Sequence, residues 1–296
     1  MGVFQLSQMA TVAMGNRAGS LFLDFFNKMD ENIEQIIAKI ELDETFNEEI
    51  SLNRLIGNKN GREIVQCYID SYYSDLAAGR NPQHKAILLI GEKGSGIHVF
   101  ARAISNSFGN LCFHTVSGNW LSDGVIHLNH FFGEGDEFSS YYISADNKLS
   151  AICQGQLCKI LNEKQISEYD WETKSWIKKK FENRLVILSV ENKDMLAYPL
   201  LKQFPIQVNL RKLSVAEITL ALTQRLALLG WKISSVDLLG QIAQASQEIG
   251  RAMEVLAMSY RVMRSKGEEI LSEVHLNKAL RLLNENMKAA GQKTGG

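Results

Sequence analysis

Proline is nearly missing from this sequence. There are three in 296 residues, and no proline-rich tract or other low-complexity segment divides the chain. Charge of one sign is missing too. Lys and Arg number 32 against 33 Asp and Glu, a formal net charge of −1, so no global basic field points to nucleic acid. The longest apolar run is of strand length, which excludes a membrane-spanning helix. No basic segment leads into an apolar core at the start, so no secretory signal is expected. Leu6 stands where a myristoylation signal wants Ser or Thr. The four cysteines, Cys67, Cys112, Cys153 and Cys158, form no C-x-x-C pair, and read as thiols of a reducing cytosol. A cytoplasmic protein with no membrane contact is expected.

The most informative lack lies inside a motif. Ala86–Gly109, AILLIGEKGSGIHVFARAISNSFG, runs from an apolar strand through a glycine-rich turn into a helical pattern. That is the order of a P-loop, G-x-x-x-x-G-K-[ST]. Gly91 and Gly96 hold the two glycine positions, with Gly94 and Ser95 between them. The Lys position holds Ile97 and the Ser/Thr position His98. The backbone frame is present and its two chemical side chains are not.

What is there is ordinary globular material, 45% hydrophobic and 22% charged. Met1–Gly19 is weakly patterned. Phe22, Phe25, Phe26, Met29, Ile33, Ile36, Ile37 and Ile40 form one apolar stripe, predicting an amphipathic helix over Leu21–Glu41. An acidic linker, Leu42–Ser51, leads to a helix from Asn58 to about Gly79. Strands are expected at Ala86–Ile90, Leu111–Val116, Phe138–Ser144, Leu185–Val190 and Ile206–Leu210, with helices after Gly96, within Asp123–Phe132 and over Leu149–Asn162. Gln165–Phe181 reads as a hairpin turning at Glu172–Lys174. Strands alternating with helices mean a parallel, helix-covered sheet. After Leu213 the pattern is of helices only, at Val215–Leu229, Ser235–Ala245, Gly250–Lys266 and Ser272–Leu283. Ser214 and Glu217 make a capping box on the first of these.

The order of these motifs resembles the AAA+ ATPases and, more closely, the RuvB family of Holliday-junction branch-migration motors, over roughly Ile50–Leu283. Leu55-Ile56-Gly57-Asn58 resembles the I-G-Q box that lies against the adenine, and AILLIGEKGSG resembles LLLFGPPGLG. TVSGNWL (Thr115–Leu121), NKLS (Asn147–Ser150), LVILSVENKD (Leu185–Asp194), LLKQFPIQVNL (Leu200–Leu210), LALLGWKIS (Leu226–Ser234) and SQEIGRA (Ser246–Ala252) are similar to further family segments. The resemblance implies an α/β fold, a P-loop AAA+ parallel sheet domain covered by helices followed by a small all-helical lid. The expected division is 1–49 arm and helix, 50–212 core, 213–284 lid and 285–296 disordered tail.

The family's catalytic positions are mostly replaced. The Walker B Asp-Glu pair falls on Ser144-Ala145, or on Asp146-Asn147 after a two-residue slide. The sensor-1 position falls on Glu191 or Asn192, and the arginine finger on Gln203, beside Lys202. Sensor-2 Arg251 is kept. No winged-helix sequence follows the lid. No catalytic residue and no metal are therefore expected. Ile56, Gly57, Gly91, Gly94, Ser95, Gly96, Ile97, His98 and Arg251 are the nucleotide-side residues, with no cofactor or weakly bound ADP or ATP. Loss of charge-assisted hydrogen bonds weakens nucleotide binding by about 1.5–3 kcal/mol each, and an arginine finger alone supplies about 10³–10⁵ in rate. The expectation is a catalytically degenerate pseudo-ATPase, an architectural or regulatory subunit of a larger assembly. Protein partners would dock on the aromatic hairpin Gln165–Phe181 and the helix Leu21–Glu41, with homo- and hetero-oligomers and nucleic acid left open. The alternatives are an atypical ATPase relying on Asp146, Glu191 or a neighbour's Lys202, and a nucleotide-sensing switch working through Arg251. His127 and His130, near Cys112 and His114, lack the spacing of a metal site.

Overall fold

A computed structural model describes residues 51–292, apart from 81–84, 111, 124–126, 134–138, 146–148, 171–173 and 182–183. The expected helix over Leu21–Glu41 lies outside the described residues.

Two strands make the middle of the molecule. β1 (Ala86–Ile90) and β6 (Leu185–Val190) are apolar along nearly their whole length because both faces are covered, and every residue of β6 is buried. They pair in parallel, Ala86 with Val186 through Ile90 with Val190. With β2 (Cys112–Ser117), β3 (Ser139–Ala145) and β7 (Ile206–Asn209) they form a five-stranded parallel sheet in the order β2-β3-β6-β1-β7. After β1 the chain crosses to the far edge, returns through β3 and β6, and then places β7 on the other side of β1. The order thus reverses at β1, and in open α/β sheets ligands bind outside the carboxyl ends of the strands at such a point.

Helix α1 (Lys59–Ala77) packs on β7, and its Gly61 stands where a Cβ would meet Val208 Cγ1 at 2.7 Å. Helix α2 (Ile97–Ser107) buries Phe100, Ala101, Ala103 and Ile104. Val99 is only half-buried. Two short helices follow, α3 (Gly118–Ser122) and α4 (Leu128–Gly133); α3 was not legible because one turn has no periodicity to read. Helix α5 (Ala151–Glu163) is capped by Ser150, whose Oγ accepts from the Cys153 N–H at 3.2 Å. Strands β4 (Gln165–Asp170) and β5 (Ser175–Lys180) form the expected antiparallel hairpin. A single turn, α6 (Tyr198–Leu201), precedes β7.

The second core is helical. Helix α7 (Val215–Leu229), α8 (Asp237–Ser246), α9 (Ile249–Ser265) and α10 (Glu273–Gln292) bury Ile218, Leu222, Leu239, Ile242, Val255, Leu256 and Leu276 against one another. This part is not made of helices alone. β8 (Lys232–Ile233) and β9 (Ile270–Leu271) pair in parallel between them; two residues are too few to show alternation. The helix expected to stop at Leu283 continues to Gln292, because no proline interrupts it after Leu283. Trp231 stacks on Tyr260, ring centroids 3.6 Å apart, closing the α7–α9 end of this core.

Candidate functional site

The reversal at β1 is filled by the glycine loop. Gly91 N donates to the Val190 carbonyl at 3.0 Å, so the loop leaves the sheet level with the end of β6. A Cβ on Gly91 would lie 2.7 Å from the Leu210 carbonyl oxygen, an approach only glycine permits. Gly94 and Gly96 sit at φ +87° and +79°, in the left-handed region. Gly96 is the N-cap of α2 and offers no side chain to its first amides, the arrangement in which a helix start presents N–H groups to an anion. Ser95 is 3% exposed, and its hydroxyl has no hydrogen-bond partner among the described residues.

The side chains that follow bring no charge to that frame. Ile97 opens α2. The His98 ring lies edge-on to Tyr142 at 5.4 Å and to Phe113 at 5.9 Å, turned toward β2 and β3. Phe113 and Tyr142 stack at 5.9 Å, with the Arg102 guanidinium 4.9 Å from the Phe113 ring. The register sets Ala145 beside Val190, which is level with Ile90. Ser144 and Ala145, at the carboxyl end of β3, therefore carry no carboxylate; Asp146 and Asn147 lie outside the described residues. After β6, Glu191 is exposed, and Asn192 Oδ1 accepts from the Asp194 N–H at 3.0 Å. Lys202 Nζ lies 4.6 Å over the Tyr198 ring, and the Gln203 side-chain amide faces the Pro199 carbonyl at 3.5 Å.

The lid reaches the loop through residues that the sequence did not single out. Glu248, the N-cap residue of α9, lies against Gly94: a Cβ there would be 2.6 Å from its Cδ and 2.8 Å from its Oε1. Ile249 is the nearest side chain to Gly96. Lys212 Nζ bridges Glu248 Oε1 at 3.5 Å and Glu92 Oε2, in the loop, at 3.7 Å. Arg251 is turned along its own helix, Nη1 to Glu254 Oε2 at 2.6 Å. On the other side of the junction, a Cβ on Gly57, at φ +77°, would be 2.3 Å from Leu213 Cδ2, and Ile56 packs against the lid core. Asn58 exchanges two hydrogen bonds with the Arg211 backbone, at 3.0 and 3.2 Å, and Gln224 Nε2 donates to the Arg54 carbonyl at 2.7 Å.

Arg211 grips Glu217 with two nitrogens, at 2.7 and 2.8 Å. Hydrogen bonds from Arg211 draw the Glu217 carboxyl down to about 2, with the Ser214 N–H and hydroxyl acting the same way and desolvation opposing them. The Glu217 hydrogen bond in turn raises Arg211 above its ordinary value. The structure thus gathers Gly91, Gly94, Ser95 and Gly96 with Leu210, Lys212, Glu248 and Ile249, and sets Ile56 and Gly57 against Leu213 and Glu217. Glu92, the neighbours Arg211 and Lys212, Glu217 and Glu248 come from four separate places in the sequence, brought together by the fold.

The hairpin is sorted by face. Ile166 is buried and pairs across the ribbon with Lys179. Trp176, Lys178 and Lys180 therefore share the opposite face, and Trp176 is 70% exposed. The histidines do not converge: the His114 ring stacks on Tyr141 at 5.2 Å, and among the described residues no three His, Cys, Asp or Glu side chains are placed to hold a metal ion. No described helix is long and apolar enough to cross a membrane.

No protein-family profile matches the sequence, and no curated protein matches it. Solved structures do. The Thermotoga maritima RuvB Holliday junction branch migration motor superposes with a TM-score of 0.58 at 16% identity, covering 81% of this chain and 74% of that one. Two point mutants of Thermotoga maritima RuvB give TM-scores of 0.61 and 0.60, each at 18% identity, over 81% and 79% of this chain and 74% and 73% of theirs. With its parallel sheet reversing at a glycine loop and its helical lid laid over that loop, this chain has the RuvB-type AAA+ fold.

Proposed function

We propose that this protein is a non-hydrolysing member of the AAA+ fold, an architectural or regulatory subunit of a multi-protein assembly in the cytoplasm. The observation that carries the reading is the start of α2. Ile97 has no ammonium for a β- or γ-phosphate, and His98 spends its ring on Phe113 and Tyr142 instead of a metal. The uncharged end of β3 at Ser144 and Ala145 and the engagement of Arg251 by Glu254 support it further. The frame of the ATPase is kept as a scaffold, and contacts are made elsewhere. The face of the Gln165–Phe181 hairpin bearing Trp176, Lys178 and Lys180 is one docking surface, offering an aromatic anchor with a basic surround. The amphipathic segment Leu21–Glu41 is the second. Native mass spectrometry of the full chain with and without ATP and Mg²⁺, together with phosphate release, tests the reading. The expected result is an unchanged subunit count and no release above buffer. ATP turnover that Asp146→Ala abolishes would instead establish an atypical ATPase.

A second reading, a nucleotide-sensing switch, draws on the intact loop backbone and on the Ser95 hydroxyl, which has no partner among the described residues. It expects bound ADP without turnover, altered by Arg251→Ala.

A further inference from the structure

The lid does more than cover the glycine loop; it brings a negative charge to it. Beside the start of α2, whose first amides suit an anion, a Cβ on Gly94 would meet Cδ, Oε1 and Cγ of Glu248. Lys212 holds that carboxylate at 3.5 Å, and Glu92, on the loop itself, holds Lys212 from the other side at 3.7 Å. The three residues come from three elements: the turn after β1, the exit of β7 and the N-cap of α9. Ser95, almost fully buried in the same loop, has a hydroxyl with no partner among the described residues.

We propose that Glu248 is an autoinhibitory carboxylate, a side chain of the lid that excludes phosphate from the glycine loop and is kept in place by Lys212. The inference rests on the reading that the loop no longer serves hydrolysis, and adds what has taken over the loop. A phosphate approaching Gly94 meets a like charge, whose repulsion is strong wherever water is partly excluded. The Lys212 ammonium is already shared between two carboxylates. The Lys212 pairs are half-exposed, with side chains 45% and 40% exposed for Lys212 and Glu248, so the clasp is weak and screened by salt. It is therefore releasable. Once Glu248 withdraws, Lys212 supplies beside the loop the cation that Ile97 does not.

The test is ADP titration of the full chain by calorimetry at low salt, with folding of each variant followed by circular dichroism. Glu248→Gln removes the charge and keeps the shape. It is expected to bind ADP about tenfold tighter than the parent chain or better. Glu92→Gln removes a charge that does not touch Gly94, and is expected to leave affinity within about twofold. Adding Lys212→Met to Glu248→Gln is expected to cancel the gain. Should Glu248→Gln not fold, Glu248→Ala repeats the comparison. Equal ADP affinity of parent and Glu248 variants overturns the proposal, as does an equal gain from Glu92→Gln, which would make the effect one of general charge. Retention of the gain without Lys212 overturns the part given to that residue. Phosphate release from ATP by the parent chain would overturn the non-hydrolysing reading, and the ADP affinities would still decide the role of Glu248.

Discussion

A methyl group on Gly57 would meet Leu213 Cδ2 at 2.3 Å, on a backbone already at φ +77°. An L side chain is strained there by about 1–2 kcal/mol, and the clash pushes Leu213 out of its place beside Ile56. Gly57→Ala should therefore lower stability by about 1–2 kcal/mol, seen as a shift of the urea midpoint at constant slope. Gly57, Gly91, Gly94 and Gly96 were legible from their motifs as positions that need glycine. A glycine tied to a turn announces itself locally. His98 was legible as a substitution, but not in what it does. Its ring finds Phe113 of β2 and Tyr142 of β3, which no spacing in sequence records.

Elements with their own chemistry were read well. The S-V-A-E run at Ser214 is a capping box in the structure, Ser214 Oγ accepting from the Glu217 N–H at 3.3 Å and the Glu217 carboxylate accepting from the Ser214 N–H at 2.8 Å. Ser214→Ala should lower stability by about 1 kcal/mol, measured by chemical denaturation. Ser214→Asp should restore most of the loss, since a carboxylate at the N-cap accepts the same bond. β6 was legible because a strand buried on both faces is apolar throughout. The lid strands β8 and β9 were not, because two-residue strands exist only as a pairing. The extension of α10 was missed because its apolar stripe ends at Leu283 while its backbone continues as helix to Gln292.

Among the described residues, one hydrophobic core lies against the sheet with Tyr141, Phe132 and Leu188, and another lies in the lid. They are joined at the exit of β7, where Arg211 faces Glu217 and Lys212 faces Glu248. Glu217 has its carboxyl lowered from 4.5 to about 2. Its contribution to stability is complete above about 4.5 and is lost as pH falls through about 2. Thermal unfolding should accordingly show a decline between pH 4.5 and 2 that is shallower in Glu217→Gln than in the parent chain. A decline of equal steepness in both would remove Glu217 from this role.

The sequence by itself determined the parallel sheet, the helical region after it and the glycine loop that ends in Gly96, Ile97 and His98. These follow from periodicity, caps and motif spacing, all of which act over a few neighbouring residues. Tertiary structure alone decided what stands at the glycine loop. Glu92, Lys212 and Glu248 are 120 and 36 positions apart along the chain, and their charges interact only because the reversal at β1 and the fold of the lid bring them within 4 Å of one ammonium. Coulomb attraction depends on distance in space and is blind to distance along the chain.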